Sequence, residues 1–134
     1  QGHTIGSHTK KHTRLSNCNN KDELIEELVI SANYIESKLG KKVEHFAFTF
    51  GNIQSFSNAA MEVAKSQFSF IYSGLRGNNI NNVSPLAIRR DAAAYQLSNN
   101  EYRLFDDKLI KTFLDGAADF RYLNARRKLD SWCR

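Results

Sequence analysis

The sequence predicts an α/β fold in which about four parallel strands alternate with crossover helices. Two observations predict it. Some segments carry apolar residues at the three-and-four spacing of an amphipathic helix, and between them lie short runs rich in β-branched and aromatic residues. Strands separated by helices pair in parallel, and such folds bind ligands at the carboxyl ends of their strands. Functional residues are therefore expected where the strands end.

The first predicted helix is the best defined element. Over residues 21–39 apolar side chains recur every three or four positions, with Asn19 or Asn20 suited to cap the first turn and Gly40 suited to end the helix. The preceding segment, residues 2–9, is bounded by glycines. It is a strand end or a loop, and periodicity alone leaves both interpretations open.

A strand, a helix and a second strand follow in order. Residues 43–50 are rich in β-branched and aromatic side chains, which suits a buried strand. Ser55 or Ser57 is suited to cap a helix that runs to about Lys65. Residues 68–73 form another short apolar run, which predicts the next strand.

The remaining residues predict one more strand and two helices. Residues 74–84 are a polar loop rich in glycine and asparagine, and residues 86–90 suit a strand. Asp106 or Asp107 can start a helix, and a last helix is expected over about residues 117–132. About four strands are too few to close an eight-stranded barrel.

Composition narrows the class of protein. With 134 residues, 41% of them hydrophobic, the chain suits one domain with a sizeable core. The formal charge is +5, but the basic residues are scattered among acids, which does not favour nucleic acid as a partner. No segment approaches the ~18 apolar residues of a membrane span. Cys18 and Cys133 match no metal-ligand spacing and are interpreted as free thiols.

Two histidines carry the strongest chemical signal. They are His8 and His12, four residues apart in the segment Gly-Ser-His-Thr-Lys-Lys-His-Thr of residues 6–13. A helical turn would place both imidazoles on one side, where their neutral nitrogens could hold one divalent cation. Two exposed histidines without a ligand remain the alternative, because a pair at this spacing also occurs by chance.

The histidine segment resembles the second motif of the NodB-type polysaccharide deacetylases. That family has a glycine-histidine lead-in followed by His-Ser/Thr-x-x-His-Pro/Thr, and residues 3–13 follow the pattern. The Phe-Ala-Phe-Thr-Phe-Gly segment of residues 46–51 resembles the family's Phe-Ala-Tyr-Pro-Tyr-Gly. The resemblance extends weakly over the rest of the chain. It implies that residues 1–134 are a single partial domain, from a deformed (β/α) barrel.

The resemblance also implies a chemistry. His8 and His12 correspond to two ligands of zinc or a similar ion that serves a hydrolase removing N-acetyl groups from a glycan. The family takes its third ligand and its catalytic base from an earlier Asp-Asp motif, and its acid from a late histidine. Asp106 and Asp107 imitate the first motif but lie where a helix should begin, so capping is the favoured interpretation. An incomplete active site is therefore expected.

Further residues are candidates, two of them by the same resemblance and two by their position at the end of a strand. The backbone N–H of Phe50 stands where the family contacts the oxyanion, and Arg90, or else Arg89, stands where one branch supplies an arginine. For both arginines, an ordinary place at the end of a surface strand remains the alternative. Tyr72 and Ser73 end a predicted strand, where a sugar could bind, although core packing is the alternative for Tyr72.

The expectations for partners follow from these assignments. The first is an N-acetylated glycan as substrate. The alternative hypothesis is an inactive truncated deacetylase-fold protein that binds or self-associates, with a homodimer covering apolar surface where barrel strands are missing. The family resemblance favours the cell envelope or periplasm as location, and the cytoplasm remains open.

Overall fold

The computed structural model describes residues 2–80, 83–90, 108, 111–112, 115–117 and 119–134. Its first long helical region begins at α1 (Lys21–Ile25), passes through a π-helical segment (Glu26–Ile30) and ends with α2 (Ser31–Leu39). The Asn20 side chain accepts a hydrogen bond from the Glu23 N–H at 2.9 Å, and thereby caps the first turn. Gly40 ends the region with a φ of 64°. The predicted helix of residues 21–39 is confirmed.

Two parallel strands form the centre of the fold. They are β1 (His45–Ala47) and β2 (Phe70–Tyr72), paired so that Phe46 faces Ile71. The crossover between them carries α3 (Asn58–Gln67). Its cap is Ser57, whose hydroxyl accepts from the Ala60 N–H at 3.2 Å. The predicted order of strand, helix and strand is confirmed, with shorter strands.

Single parallel bridges extend the sheet on both sides. Ser7 pairs with Phe46 on one side, and Tyr72 pairs with Ile88 on the other. About four full strands were expected, but the sheet of the described residues has two strands. One reason is Pro85, which lacks an N–H and begins a 3₁₀ turn, Pro85–Ala87, where the fourth strand was predicted. The four segments are parallel as predicted, and the described residues do not form a closed barrel.

The helices cover one face of this sheet and form the core with it. Phe46 and Ile71 are fully buried, and their side chains pack among the apolar faces of the helices. On the opposite face, Phe70 is 37% exposed. The buried apolar cluster consists of Leu15, Leu24, Leu28, Ala32, Val43, Phe46, Phe48, Phe56, Ala60, Met61, Val63, Ala64, Phe68, Ile71, Leu75, Ala87 and Leu129.

The C-terminal helix joins the same core. A 3₁₀ turn (Asp119–Tyr122) leads into α4 (Leu123–Trp132), which buries Leu129. The predicted last helix is thus confirmed, with a 3₁₀ start. The helix predicted to begin at Asp106 or Asp107 has its start outside the described residues. None of the described helices is long and apolar enough to cross a membrane.

Both cysteines are free thiols, as predicted from their spacing. Cys133 directly follows α4 as its C-cap, with its sulfur 3.3 Å from the Leu129 carbonyl oxygen. Partial burial, aided by the charge of Asp130, raises the pKa of Cys133 to about 11. This thiol is therefore protonated at neutral pH and a poor nucleophile.

The loops that follow β1 and β2 touch through their backbones at two glycines. The Gly74 N–H donates to the Gly51 carbonyl oxygen at 2.8 Å. A Cβ atom placed on Gly74 would lie only 2.6 Å from the Gly51 Cα. Neither loop could approach the other this closely if either residue carried a side chain.

We expect Gly74→Ala to lower the free energy of unfolding by about 1–3 kcal/mol, because the methyl group overlaps backbone that cannot yield without shifting a loop. Gly40→Ala is the contrast: it places a Cβ in open space and meets only the left-handed backbone, at φ 64°, which costs about 1 kcal/mol. Urea denaturation followed by circular dichroism measures both. Wild-type stability in Gly74→Ala would contradict the close backbone contact.

Candidate functional site

The two histidines lie side by side where the Ser7 segment leaves the sheet. Their ring centroids are 5.0 Å apart, with an angle of 65° between the ring planes. A helical turn was expected to bring them together, but residues 8–12 are not helical. The backbone instead bends through left-handed conformations, at φ 66° for Thr9 and 58° for His12. The predicted adjacency is present, and its cause is a strained bend.

A hydrogen bond to the neighbouring strand orients His8. Its Nδ1 lies 2.8 Å from the Ala47 carbonyl oxygen. A carbonyl can only accept, so Nδ1 carries the proton and donates it to this bond. In the neutral ring Nε2 is then the nitrogen with the free lone pair, which is the arrangement found in histidines that bind metals. His8 therefore has the orientation and tautomer that a metal ligand needs.

Two threonine hydroxyls affect the stability of the loop that carries the histidines. Thr49 is buried just after β1, and its Oγ1 donates to the Thr13 carbonyl oxygen at 2.6 Å. This bond holds the far end of the loop against the sheet. Within the part of the chain that the structure describes, the buried Oγ1 of Thr9 has no hydrogen-bond partner. A buried unpaired hydroxyl costs about 1–3 kcal/mol, so Thr9 destabilises the loop twice, by backbone and by side chain.

Phe50 lies next to His12 at the end of the β1 segment. Its ring centroid is 5.0 Å from that of His12, and the Arg14 guanidinium carbon lies 4.5 Å from the Phe50 centroid. Phe50 also has a left-handed backbone, with a φ of 62°. Strained residues of this kind cluster at functional sites. Arg14 belongs to no periodic element, so no signal in the sequence pointed to it.

Arg90 reaches the carboxyl end of β1 from the segment of Ile88, which lies on the other side of β2. One of its guanidinium nitrogens donates to the Phe48 carbonyl oxygen at 3.1 Å. The Arg89 guanidinium instead donates to the Asn78 carbonyl oxygen at 3.0 Å. Asn79 fixes this choice, since its side-chain amide makes two 2.8 Å hydrogen bonds with the Arg89 backbone. Of the two candidate arginines, Arg90 therefore points to the end of β1.

The two residues predicted to contact a sugar have different surroundings. Tyr72 lines a groove of about 330 Å³ that also reaches His8, and its hydroxyl lies 2.9 Å from Nδ1 of His45. Ser73 is fully buried, and its hydroxyl donates to the Ile88 carbonyl oxygen at 3.2 Å. Tyr72 is therefore open to a ligand, whereas Ser73 braces the sheet. A glycan contact for either residue stays a prediction.

The donor set fits a divalent cation only in part. Two adjacent imidazoles, one of them held in the ligating tautomer, suit zinc or a similar ion. Among the described residues, no third His, Cys, Asp or Glu joins them in a group that could hold a metal. Asp106 and Asp107 lie outside those residues.

The comparisons with known proteins point to one family. The family model for polysaccharide deacetylase matches residues 1–68. Among solved structures, a polysaccharide deacetylase from Bacillus cereus has a TM-score of 0.54 and 24% identity over 66% of this chain. The putative polysaccharide deacetylase BA0330 from Bacillus anthracis has the same TM-score of 0.54, identity of 24% and coverage of 66%. No curated protein matches significantly.

The structural likeness concerns the fold and a limited part of it. At 24% identity the shared α/β arrangement is what the comparison shows. The chain spans 27% of the length of either solved structure. A whole deacetylase of this kind therefore contains many residues that have no counterpart in this chain.

We expect Thr9→Gly to raise the free energy of unfolding by about 2 kcal/mol. Glycine removes the left-handed strain, about 1–2 kcal/mol, and the unpaired hydroxyl, about 1–3 kcal/mol. Against these stand about 0.5–1 kcal/mol of backbone entropy and the loss of a partly buried methyl, about 0.8 kcal/mol. Urea denaturation measures the change. Thr4→Gly is the control, because Thr4 is exposed and is not among the residues with positive φ. Equal destabilisation of both variants would contradict the strain.

Proposed function

This chain belongs to the polysaccharide deacetylase family, and from that premise we propose that it forms part of a metal-dependent hydrolase that removes N-acetyl groups from a glycan. The observation that carries the proposal is the pair of adjacent imidazoles, with His8 oriented by the Ala47 carbonyl. The parallel order of the four sheet segments supports a place in a deformed (β/α) barrel. The chain spans 27% of the length of the matched solved structure, which supports a place in a longer protein.

His8 and His12 would hold the cation, which we propose to be zinc. The Nε2 atom of His8 is available because Nδ1 is engaged with Ala47. A bound divalent cation polarises a carbonyl and lowers the pKa of its water. Among the described residues, no third ligating side chain joins the pair.

The residues at the end of β1 would stabilise charge that develops on the acetamide oxygen. Phe50 would offer its backbone N–H there, and its ring lies against the His12 ring, at 5.0 Å between centroids. Arg90 adds a permanent positive charge, held near Gly51 by its bond to the Phe48 carbonyl. A role through the backbone explains how the chain could keep the chemistry with Phe50 in place of the family's tyrosine.

The groove beside His8 would receive the sugar. Tyr72 lines it together with His45, and the two rings are stacked at 5.8 Å between centroids. Aromatic faces suit the apolar face of a sugar ring, and the Tyr72 hydroxyl adds a hydrogen-bond group. Ser73 would act indirectly, by bracing the strand that carries Tyr72 through its bond to Ile88.

Metal binding tests the proposal. We expect wild-type protein to bind about one zinc ion per chain, and the His8→Ala/His12→Ala variant to lose at least about 100-fold in affinity, since both ligating nitrogens are removed. Isothermal titration calorimetry on metal-free protein measures the affinity.

His45→Ala is the matched control for zinc binding. It removes a histidine that lines the same groove but whose Nδ1 bonds the Tyr72 hydroxyl. Its zinc affinity should remain that of the wild type. Equal zinc affinity in the wild type and the double variant would contradict the assignment of both ligands.

The alternative function, an inactive truncated deacetylase-fold protein that binds or self-associates, has an observation that supports self-association. The sheet face opposite the helices exposes Phe70, whose ring stacks on His45 at 4.6 Å between centroids. Exposed aromatic surface on a sheet face favours association. A second copy of the chain could cover this surface.

If the alternative holds, wild-type protein sediments as a dimer, and Phe70→Lys shifts the dissociation constant upward by at least about tenfold, because a charge replaces buried apolar area. Analytical ultracentrifugation measures the equilibrium. The control is Phe120→Lys, at an exposed phenylalanine in the 3₁₀ turn before α4. A wild-type monomer at all concentrations would exclude self-association.

A further inference from the structure

We propose that Glu27 is a positioning residue for the histidine pair, because its buried carboxylate holds the bend that brings His8 and His12 together. The inference deepens the proposed metal function and rests on it for its functional meaning. Its structural part concerns the metal-free protein. The two parts can therefore be tested separately.

The carboxylate is buried and committed to the loop. Glu27 is only 5% exposed, and its Oε2 accepts the backbone N–H groups of Lys10 and Lys11, both at 3.0 Å. These two amides lie midway between the histidines. Hydrogen bonds from backbone amides to a carboxylate are among the stronger ones in proteins. A buried carboxylate is costly unless it is paired in this way.

The place of Glu27 in its helix shows that the burial is specific. Leu24, Leu28 and Ser31 lie three before, one after and four after it, and all are buried. An acidic residue in the inward stripe of an amphipathic helix departs from the usual pattern. The loop amides, rather than solvent, are the partner that accounts for the departure.

The bonds to Glu27 also account for the strained backbone. Two successive backbone N–H groups can point to one oxygen only if the chain bends sharply at those two residues. Thr9 and His12 flank the two amides, and both have positive φ. Such conformations persist only when several contacts hold them. Glu27 holds the middle of the bend, while the Ala47 and Thr49 hydrogen bonds hold its two ends.

Glu26 provides a natural comparison, since it touches the same two lysines by their side chains. Its Oε1 lies 2.7 Å from Nζ of Lys10 and 3.8 Å from Nζ of Lys11. The hydrogen bond from Lys10 lowers the pKa of Glu26. These are surface ion pairs, which fix backbone geometry weakly. A comparison of Glu26 with Glu27 thus distinguishes the effect of charge near the loop from the effect of hydrogen bonding to the loop backbone.

The test compares Glu27→Met, Glu27→Gln and Glu26→Gln in the metal-free protein by nuclear Overhauser spectroscopy. Methionine has a similar length but no strong acceptor, whereas glutamine keeps an oxygen that can accept both amides. We expect the cross-peak between the His8 and His12 rings to vanish in Glu27→Met and to persist in the other two. The cross-peak between Phe46 and Phe68, whose centroids are 5.0 Å apart, reports on the core.

Zinc affinity is the second measurement on the same variants. We expect Glu27→Met to lose about 10–100-fold, the usual cost of removing a group that orients metal ligands. Glu27→Gln should recover most of this loss, and Glu26→Gln should bind as the wild type does. Equal zinc affinity in Glu27→Met and the wild type would overturn the functional part of the inference.

The remaining outcomes separate the two proposals. An unchanged histidine cross-peak in Glu27→Met, with an intact core, would overturn the inference. If the wild type binds no zinc and Glu27→Met still loses the cross-peak, the metal function fails while the positioning role is supported. If Glu27→Met does not fold, Glu27→Asp decides, because its shorter carboxylate keeps the charge but cannot reach both amides. A retained cross-peak in Glu27→Asp would then overturn the inference.

Discussion

The backbone pairing of Ser7 with β1 is the interaction on which the site depends. The Ser7 N–H donates to the His45 carbonyl oxygen at 2.8 Å, and the Ala47 N–H donates to the Ser7 carbonyl oxygen at 3.0 Å. Because the pairing is parallel, the chain after Ser7 leaves the sheet at the same edge as the chain after Ala47. One register therefore places the histidine loop beside Phe50, and a slip by one residue would turn the side chains to the other face.

The helices and the alternation with strands were predictable because their signals are local. Asn20 and Ser57 cap the helices that their spacing indicated, and Gly40 ends the first of them. Strand length was less predictable, since a strand exists only where a partner accepts its hydrogen bonds. Because of Pro85, and because two segments pair through single bridges, the strands are shorter than the apolar runs suggested. Sequence periodicity carries no information on this pairing.

The site was predictable in part, and the failures have physical causes. The spacing of His8 and His12 indicated their adjacency, but the bend that joins them depends on contacts with β1 and the first helix. The family resemblance left Arg90 or else Arg89 as the candidate, and Asn79 enforces the choice of Arg90 in the structure. Glu27 did leave a signal, as an acid in an apolar stripe. That signal becomes interpretable only when its partners in the loop are known.

The backbone contact between Gly51 and Gly74 has a consequence for engineering. The two loops share one surface without side chains between them, so they behave as a single module rather than as two replaceable parts. A transplant of only one loop from a relative would bring a new backbone path against an unchanged neighbour. Loop grafting would therefore require both loops, together with Arg90, to be moved as a set.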